Sequence, residues 1–142
     1  MFTMNSTPNT ATALPLIGRV LMAAIFLFSA LGKLIAPDAN LAYIASMGLP
    51  APVLGLVAAV VLELIGSVLL GLGYRTRLVA ALLAAYTIAT AFIFHHALAD
   101  QNQLFHFLKN LAMAGGLLQV VAFGAGAFSL DKRRAHIALA AV

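Results

Sequence analysis

Four apolar stretches, each long enough to cross a bilayer as a helix, make up most of this chain and leave it almost no other way to fold. A spanning helix takes about 20 apolar residues at ~1.5 Å rise each, because backbone polar groups must satisfy one another once water is gone. The stretches fall at 14–35, 51–73, 78–98 and 104–123. Composition agrees with them: 63% of residues are hydrophobic and 8% are charged, with a mean hydropathy of +1.05, whereas soluble domains carry roughly 25% charged residues. The expected fold class is all-α, an integral-membrane four-helix bundle with no room for a soluble domain.

The segments between the spans have their own signatures. Residues 1–13 are rich in Ser, Thr, Asn and Pro, and are expected to form a frayed tail. The first span is read as retained, not as a cleaved signal, since no Lys or Arg precedes Arg19 and no small-residue cleavage site follows the apolar run. Between spans 1 and 2, Leu41, Tyr43, Ile44 and Met47 could line one side of a short helix lying in the interface, ended by Gly48. Pro50 and Pro52 suit the start of the next helix, where an N–H is unsatisfied anyway. Residues 128–142 form a basic tail around Lys132, Arg133 and Arg134.

The net charge of +4 does not point to nucleic acid, because the eight Lys and Arg are scattered and form no dense basic face. It points to topology. Arg75, Arg77, Lys132, Arg133 and Arg134 all fall on one side of a four-span arrangement, while the first and third connections lie beyond the reach of any Lys or Arg cluster. Short basic loops stay inside, so both termini are expected in the cytoplasm and the protein in a bacterial inner membrane. Cysteine is absent, which excludes disulfides, a thiol nucleophile and cysteine-ligated clusters. No intrinsic cofactor is expected, and no Ser-His-Asp pattern, metal box or nucleotide fingerprint appears.

Ionisable residues inside spans are costly and therefore mark function or assembly. Four stand out: Arg19, Lys33, Glu63 and Lys109. Arg19 and Lys33 share one face of helix 1, about four turns apart. Glu63 lies on a helix 2 face with Gly55, Ala59 and Gly66, whose small side chains let a neighbour approach. Counting rise from the helix ends puts Arg19 about 8 Å and Glu63 about 14 Å from the cytoplasmic side, which a long Arg can bridge. A buried Arg19–Glu63 pair is the expectation, with snorkelling of Arg19 as the alternative.

On the other half, Lys33, Lys109, His95, His96 and His106 gather, and basic groups outnumber acidic partners. His106, Lys109, Asn110 and Met113 share one face of helix 4. Such a surplus of donors suits an anion or the carbonyl oxygens of a quinone, so Lys33, His95, His96, Lys109 and Asn110 are the candidate ligand-binding residues; the bland alternative is that the lysines snorkel to the interface. Adjacent His95 and His96 point about 100° apart and make a poor haem clamp. Tyr86, Thr87 and Thr90 either line a cavity or bond helix carbonyls.

The chain resembles the DoxX family of small bacterial membrane proteins over residues 16 to about 131. The resemblance rests on Leu16-Ile17-Gly18-Arg19, Ser29-Ala30-Leu31-Gly32-Lys33-Leu34, Gly48-Leu49-Pro50, Glu63 with Gly66, the turn Gly71 to Arg77, His95-His96, Lys109-Asn110 with Gly115-Gly116, and Ser129-Leu130-Asp131. It implies a four-helix membrane fold associated with redox metabolism. Three functions follow as expectations: a quinone-linked redox protein or subunit, a small-solute or anion transporter with Glu63 as coupling carboxylate, and a structural partner in a membrane complex. A redox partner protein goes with the first. Small residues on every helix permit a homodimer.

Overall fold

The computed structural model describes residues 10–140, which form six helices: α1 (Thr10–Ile35), α2 (Pro37–Ser46), α3 (Pro52–Leu72), α4 (Thr76–Phe94), α5 (Gln101–Phe123) and α6 (Leu130–Ala140). Four of them, α1, α3, α4 and α5, are long and apolar enough to cross a membrane. Their short connections alternate direction, giving an all-α up-and-down bundle. The frayed tail expected at 1–13 lies outside the described residues up to residue 9, and its remainder, from Thr10, is the start of α1. Residues 128–140 are not simply a tail either, since Leu130–Ala140 form α6.

Local chemistry explains where the helices begin and end. Pro37 and Pro52 occupy first turns, of α2 and α3, where a missing N–H costs nothing. Gly73 ends α3 in the left-handed region at φ +71°, and Tyr74 N–H reaches back to Leu69 O. Asp100 caps α5 by accepting from Gln103 N–H at 2.9 Å. Helix α4 stops at Phe94, short of the 98 expected, so His95 and His96 stand in the connection to α5.

Packing divides the bundle into two tight helix pairs. α1 lies along α3 and α4 along α5, whereas α1 and α5 barely touch. The core joins Ala23 and Phe26 of α1, Leu70 of α3, Val79, Ala80, Leu83 and Ala84 of α4, and Leu117 of α5. Gly66 lets α4 come close: a Cβ there would meet a Leu83 methyl at 2.9 Å. Large apolar side chains such as Phe28, Phe92 and Phe105 face outward, as a lipid-solvated surface requires. α2 crosses the opposite end of the bundle from α6, with Ile44 buried and in contact with the Gly55 position.

The end that carries α6 is tied by two polar side chains. Arg19 is 1% exposed and donates to Leu70 O at 2.8 Å, Gly71 O at 3.2 Å and Phe128 O at 2.6 Å. It therefore adds donors to the carbonyls at the end of α3, where Leu70 O also accepts the Gly73 N–H and a cation meets the negative end of the helix dipole. Asp131 does the reverse for α4. Arg75, the N-cap residue, has no side-chain acceptor, and the Asp131 carboxylate receives Arg75 N–H (2.8 Å), Thr76 N–H (2.8 Å) and the Thr76 hydroxyl (2.7 Å). Asp131 N–H in turn donates to Gly73 O at 2.9 Å.

Burial pushes the Asp131 carboxyl up, but the Thr76 and Arg75 donors and the nearby Arg134 charge outweigh it and hold the group below its ordinary value. A carboxyl with a lowered folded pKa stabilises above its unfolded pKa of about 3.9, and that contribution fades as pH falls through the folded value. Asp131→Ala should therefore lower stability by about 1–2 kcal/mol at neutral pH. Melting in detergent should show the gap to the unaltered protein narrowing below about pH 4.

Candidate functional site

At the end opposite α6 the two helix pairs splay around a cavity of about 430 Å³, a volume suited to a small-molecule ligand. Its floor is polar. Glu63, only 2% exposed, receives the Lys33 ammonium on both carboxylate oxygens at 2.9 Å, the Ser29 hydroxyl at 3.1 Å and the Tyr86 hydroxyl at 2.8 Å. Lys33 also donates to Ser29 Oγ at 2.6 Å. An ammonium has three N–H groups, and here three acceptors surround it, so Lys33 is saturated.

The sequence places these groups together for simple reasons. Ser29 and Lys33 are one helical turn apart on α1, and Ala30, fully buried between them, lets α3 approach. Tyr86 enters from α4, one turn above the Gly66–Leu83 contact. In this setting a buried charge persists only with a partner, and the pair is closed by two further hydroxyls.

The expected Arg19–Glu63 pair does not form. Arg19 reaches the carbonyls of Leu70 and Gly71, seven and eight residues beyond Glu63 along α3, which is about 10 Å of rise. Counting from helix ends underestimated that offset, because Arg19 lies at the level of the last turn of α3 while Lys33 lies at the level of Glu63. Both cations on the α1 face thus have partners, Lys33 at the middle of α3 and Arg19 at its C-terminal end.

The opposite wall comes from α4 and α5. Lys109, Asn110 and Met113 project from α5, with Thr87, Thr90, Ile93 and His95 beside them. Asn110 makes a long contact of 3.5 Å to Thr90 Oγ1, and Lys109 donates to His106 Nδ1 at 3.2 Å. His95 stacks on His106 with ring centroids 5.0 Å apart and pairs through Nδ1 with Gln103 Oε1 at 3.0 Å. Tyr43 of α2 bonds Phe94 O at 3.1 Å and stacks on its ring, which fastens α2 to the end of α4.

Of the five ligand-binding candidates, Lys33, His95, Lys109 and Asn110 line the cavity. His96 does not: it is exposed, and its Nδ1 lies 3.1 Å from Ile93 O. Ser29 belongs to the site without standing among the candidates, and Tyr86, which by sequence alone either lines a cavity or bonds a helix carbonyl, lines it and bonds Glu63; their signal was position, a mid-span tyrosine and a serine one turn from a buried lysine. Thr87 and Thr90 both line the cavity and bond helix carbonyls. Among the described residues no cluster of His, Asp and Glu could hold a metal ion.

The family profile for DoxX matches residues 14–96, which carry α1 to α4 with the whole Glu63 network. The chain belongs to the DoxX family. DoxX relatives support this over a longer span: inner membrane protein YphA of Escherichia coli is 38% identical over 123 residues, covering 83% of this chain and 88% of YphA. Inner membrane protein YqjF of the same organism is 35% identical over 117 residues, covering 82% of this chain and 88% of YqjF. No solved structure matches this DoxX chain. With its four apolar spans, this is a multi-pass protein of the bacterial inner membrane, embedded in lipid.

The closed network makes a quantitative prediction. Lys33→Met leaves a buried carboxylate without its cation and should cost about 3–5 kcal/mol, whereas Lys33→Met combined with Glu63→Leu should recover most of the loss. Thermal unfolding of the two single variants and the double variant in detergent gives the coupling; simple additivity would mean the pair is not closed in the membrane.

Proposed function

We propose that this DoxX protein binds a quinone-type head group in the cavity, as a quinone-linked redox protein or as a subunit of one. One observation carries the reading: the two walls differ in hydrogen-bonding character. Lys33 has spent its donors, so the Glu63 side of the cavity offers oxygen lone pairs, those of Glu63 Oε2 on α3 and of the Tyr86 hydroxyl that reaches it from α4. The α5 wall offers donors, the Lys109 ammonium and the Asn110 amide. A quinone carbonyl oxygen accepts from the α5 wall, a hydroxyl of the reduced quinol form donates to the Glu63 wall, and Ile25, Phe26, Ile93 and Met113 cover the ring faces. This moves recognition of the carbonyl from Lys33 to Lys109 and Asn110. A small anion could use only the second wall.

The orientation follows the charges. Arg75, Arg77, Lys132, Arg133 and Arg134 collect at the α6 end, and the cavity lies at the other. The positive-inside rule then puts both termini in the cytoplasm and the cavity in the outer half of the membrane.

Lipid extraction of the protein purified in mild detergent should release a quinone, and a titratable benzoquinone should bind the emptied protein. Lys109→Met and Asn110→Ala should each weaken that binding roughly tenfold, the loss expected from one hydrogen bond to a charged or polar donor. Absence of bound and titratable quinone, with solute flux in liposomes lost in Glu63→Gln, would favour transport instead. If neither binding nor flux appears, the Glu63 network serves assembly alone.

A further inference from the structure

We infer that the cavity is reached sideways from the bilayer, through the seam between α1 and α5, and that its ligand is an amphiphile dissolved in lipid whose tail remains in that seam. The inference rests on the cavity being a ligand site, and it adds the route and the second half of the ligand.

The seam is closed at one end and open at the other. Met22 of α1 meets Gly116 of α5, where an added Cβ would lie 3.2 Å from the Met22 sulfur. The helices are antiparallel, so going along α1 from Ile25 to Ser29 and Lys33 corresponds to going back along α5 from Met113 to the turn that carries Asn110 and Lys109. All six of those residues line the cavity, and apart from the Met22 level α1 and α5 scarcely meet. Ile25 is 37% exposed, and Lys109 is also exposed.

The other boundaries between helices are closed. α1 lies tightly on α3 and α4 on α5. Between α3 and α4, Leu83 fills the Gly66 position, and above it α2 spans the gap, with Ile44 against Gly55 and Tyr43 bonded to Phe94 O. Only the α1–α5 seam has no hydrogen bond or bridging helix across it among the described residues. A seam flanked by Ile25 and Met113 exchanges lipid tails for a ligand tail at no polar cost, while the polar walls behind it hold the head.

The chain has no cysteine, so a pair introduced across the seam is unique. Ile25→Cys with Met113→Cys can be joined by a short cleavable bis-maleimide, and binding compared before joining, after joining and after cleavage. The probes are a benzoquinone with a long alkyl tail and the same head group with a methyl in its place, presented in lipid nanodiscs. Joining should weaken binding of the tailed probe roughly tenfold or more relative to the methyl probe, and cleavage should restore it. Equal binding of both probes before and after joining overturns the lateral route while leaving the head-group reading intact. Failure of the unaltered protein, with Ile25 and Met113 in place, to bind either probe overturns both. Should joining perturb the fold, Ile25→Ala provides a second arm: a wider seam should speed association of the tailed probe, and an unchanged rate overturns the inference.

Discussion

Charges in a bilayer have no water to retreat to, and the way this chain houses three of them organises everything else. Arg19, Lys33 and Glu63 sit in or near the core of a bundle whose outer surface must stay apolar. Each therefore becomes a fixed point. Glu63 and Lys33 bind α3 to α1 at one level, and Tyr86 adds α4 to the same carboxylate. Arg19 binds α1 to the end of α3 at another level. Apolar packing in lipid has little preference for one register over another, since the tails are as apolar as the helices. Directional bonds at two heights supply the register that hydrophobic burial cannot.

That division of labour explains why the cavity lies where it does. The helix pairs close where small residues meet large ones, Gly66 with Leu83 and Gly116 with Met22, and they part where polar side chains need space. A carboxylate with four hydrogen bonds from three side chains and an amide with one long contact cannot be packed over by leucines without losing bonds. The opening is a geometric result of placing polar groups on facing helices at one depth.

Much of the architecture was legible in the residues. Apolar run lengths show four spans, and three of the four intramembrane ionisable residues, Lys33, Glu63 and Lys109, line the cavity, because both signals are strong and local. Partner choice was not legible. Arg19 and Lys33 lie on one face of α1, and either could have reached Glu63 by counting turns; the deciding facts are the carbonyls at the end of α3 and the level at which the helices cross. His96 was misplaced for a related reason: α4 ends at Phe94, so the two histidines turn differently from successive residues of a helix. Ser29 and Tyr86 carry no signal of type, since hydroxyls in spans commonly bond their own helix, as Thr87 does.

The Asp131 cap has a bearing on how the molecule is made. A ribosome delivers α3, the turn and α4 well before residue 131 emerges, so the first turn of α4 waits with open N–H groups while more than 50 residues are added. Phe128 O, the third acceptor of Arg19, arrives at nearly the same moment. Residues 128–131 thus complete two sites begun by earlier helices. A chain that stops before residue 128 keeps four spans but lacks the Asp131 cap of α4 and one of the three acceptors of Arg19.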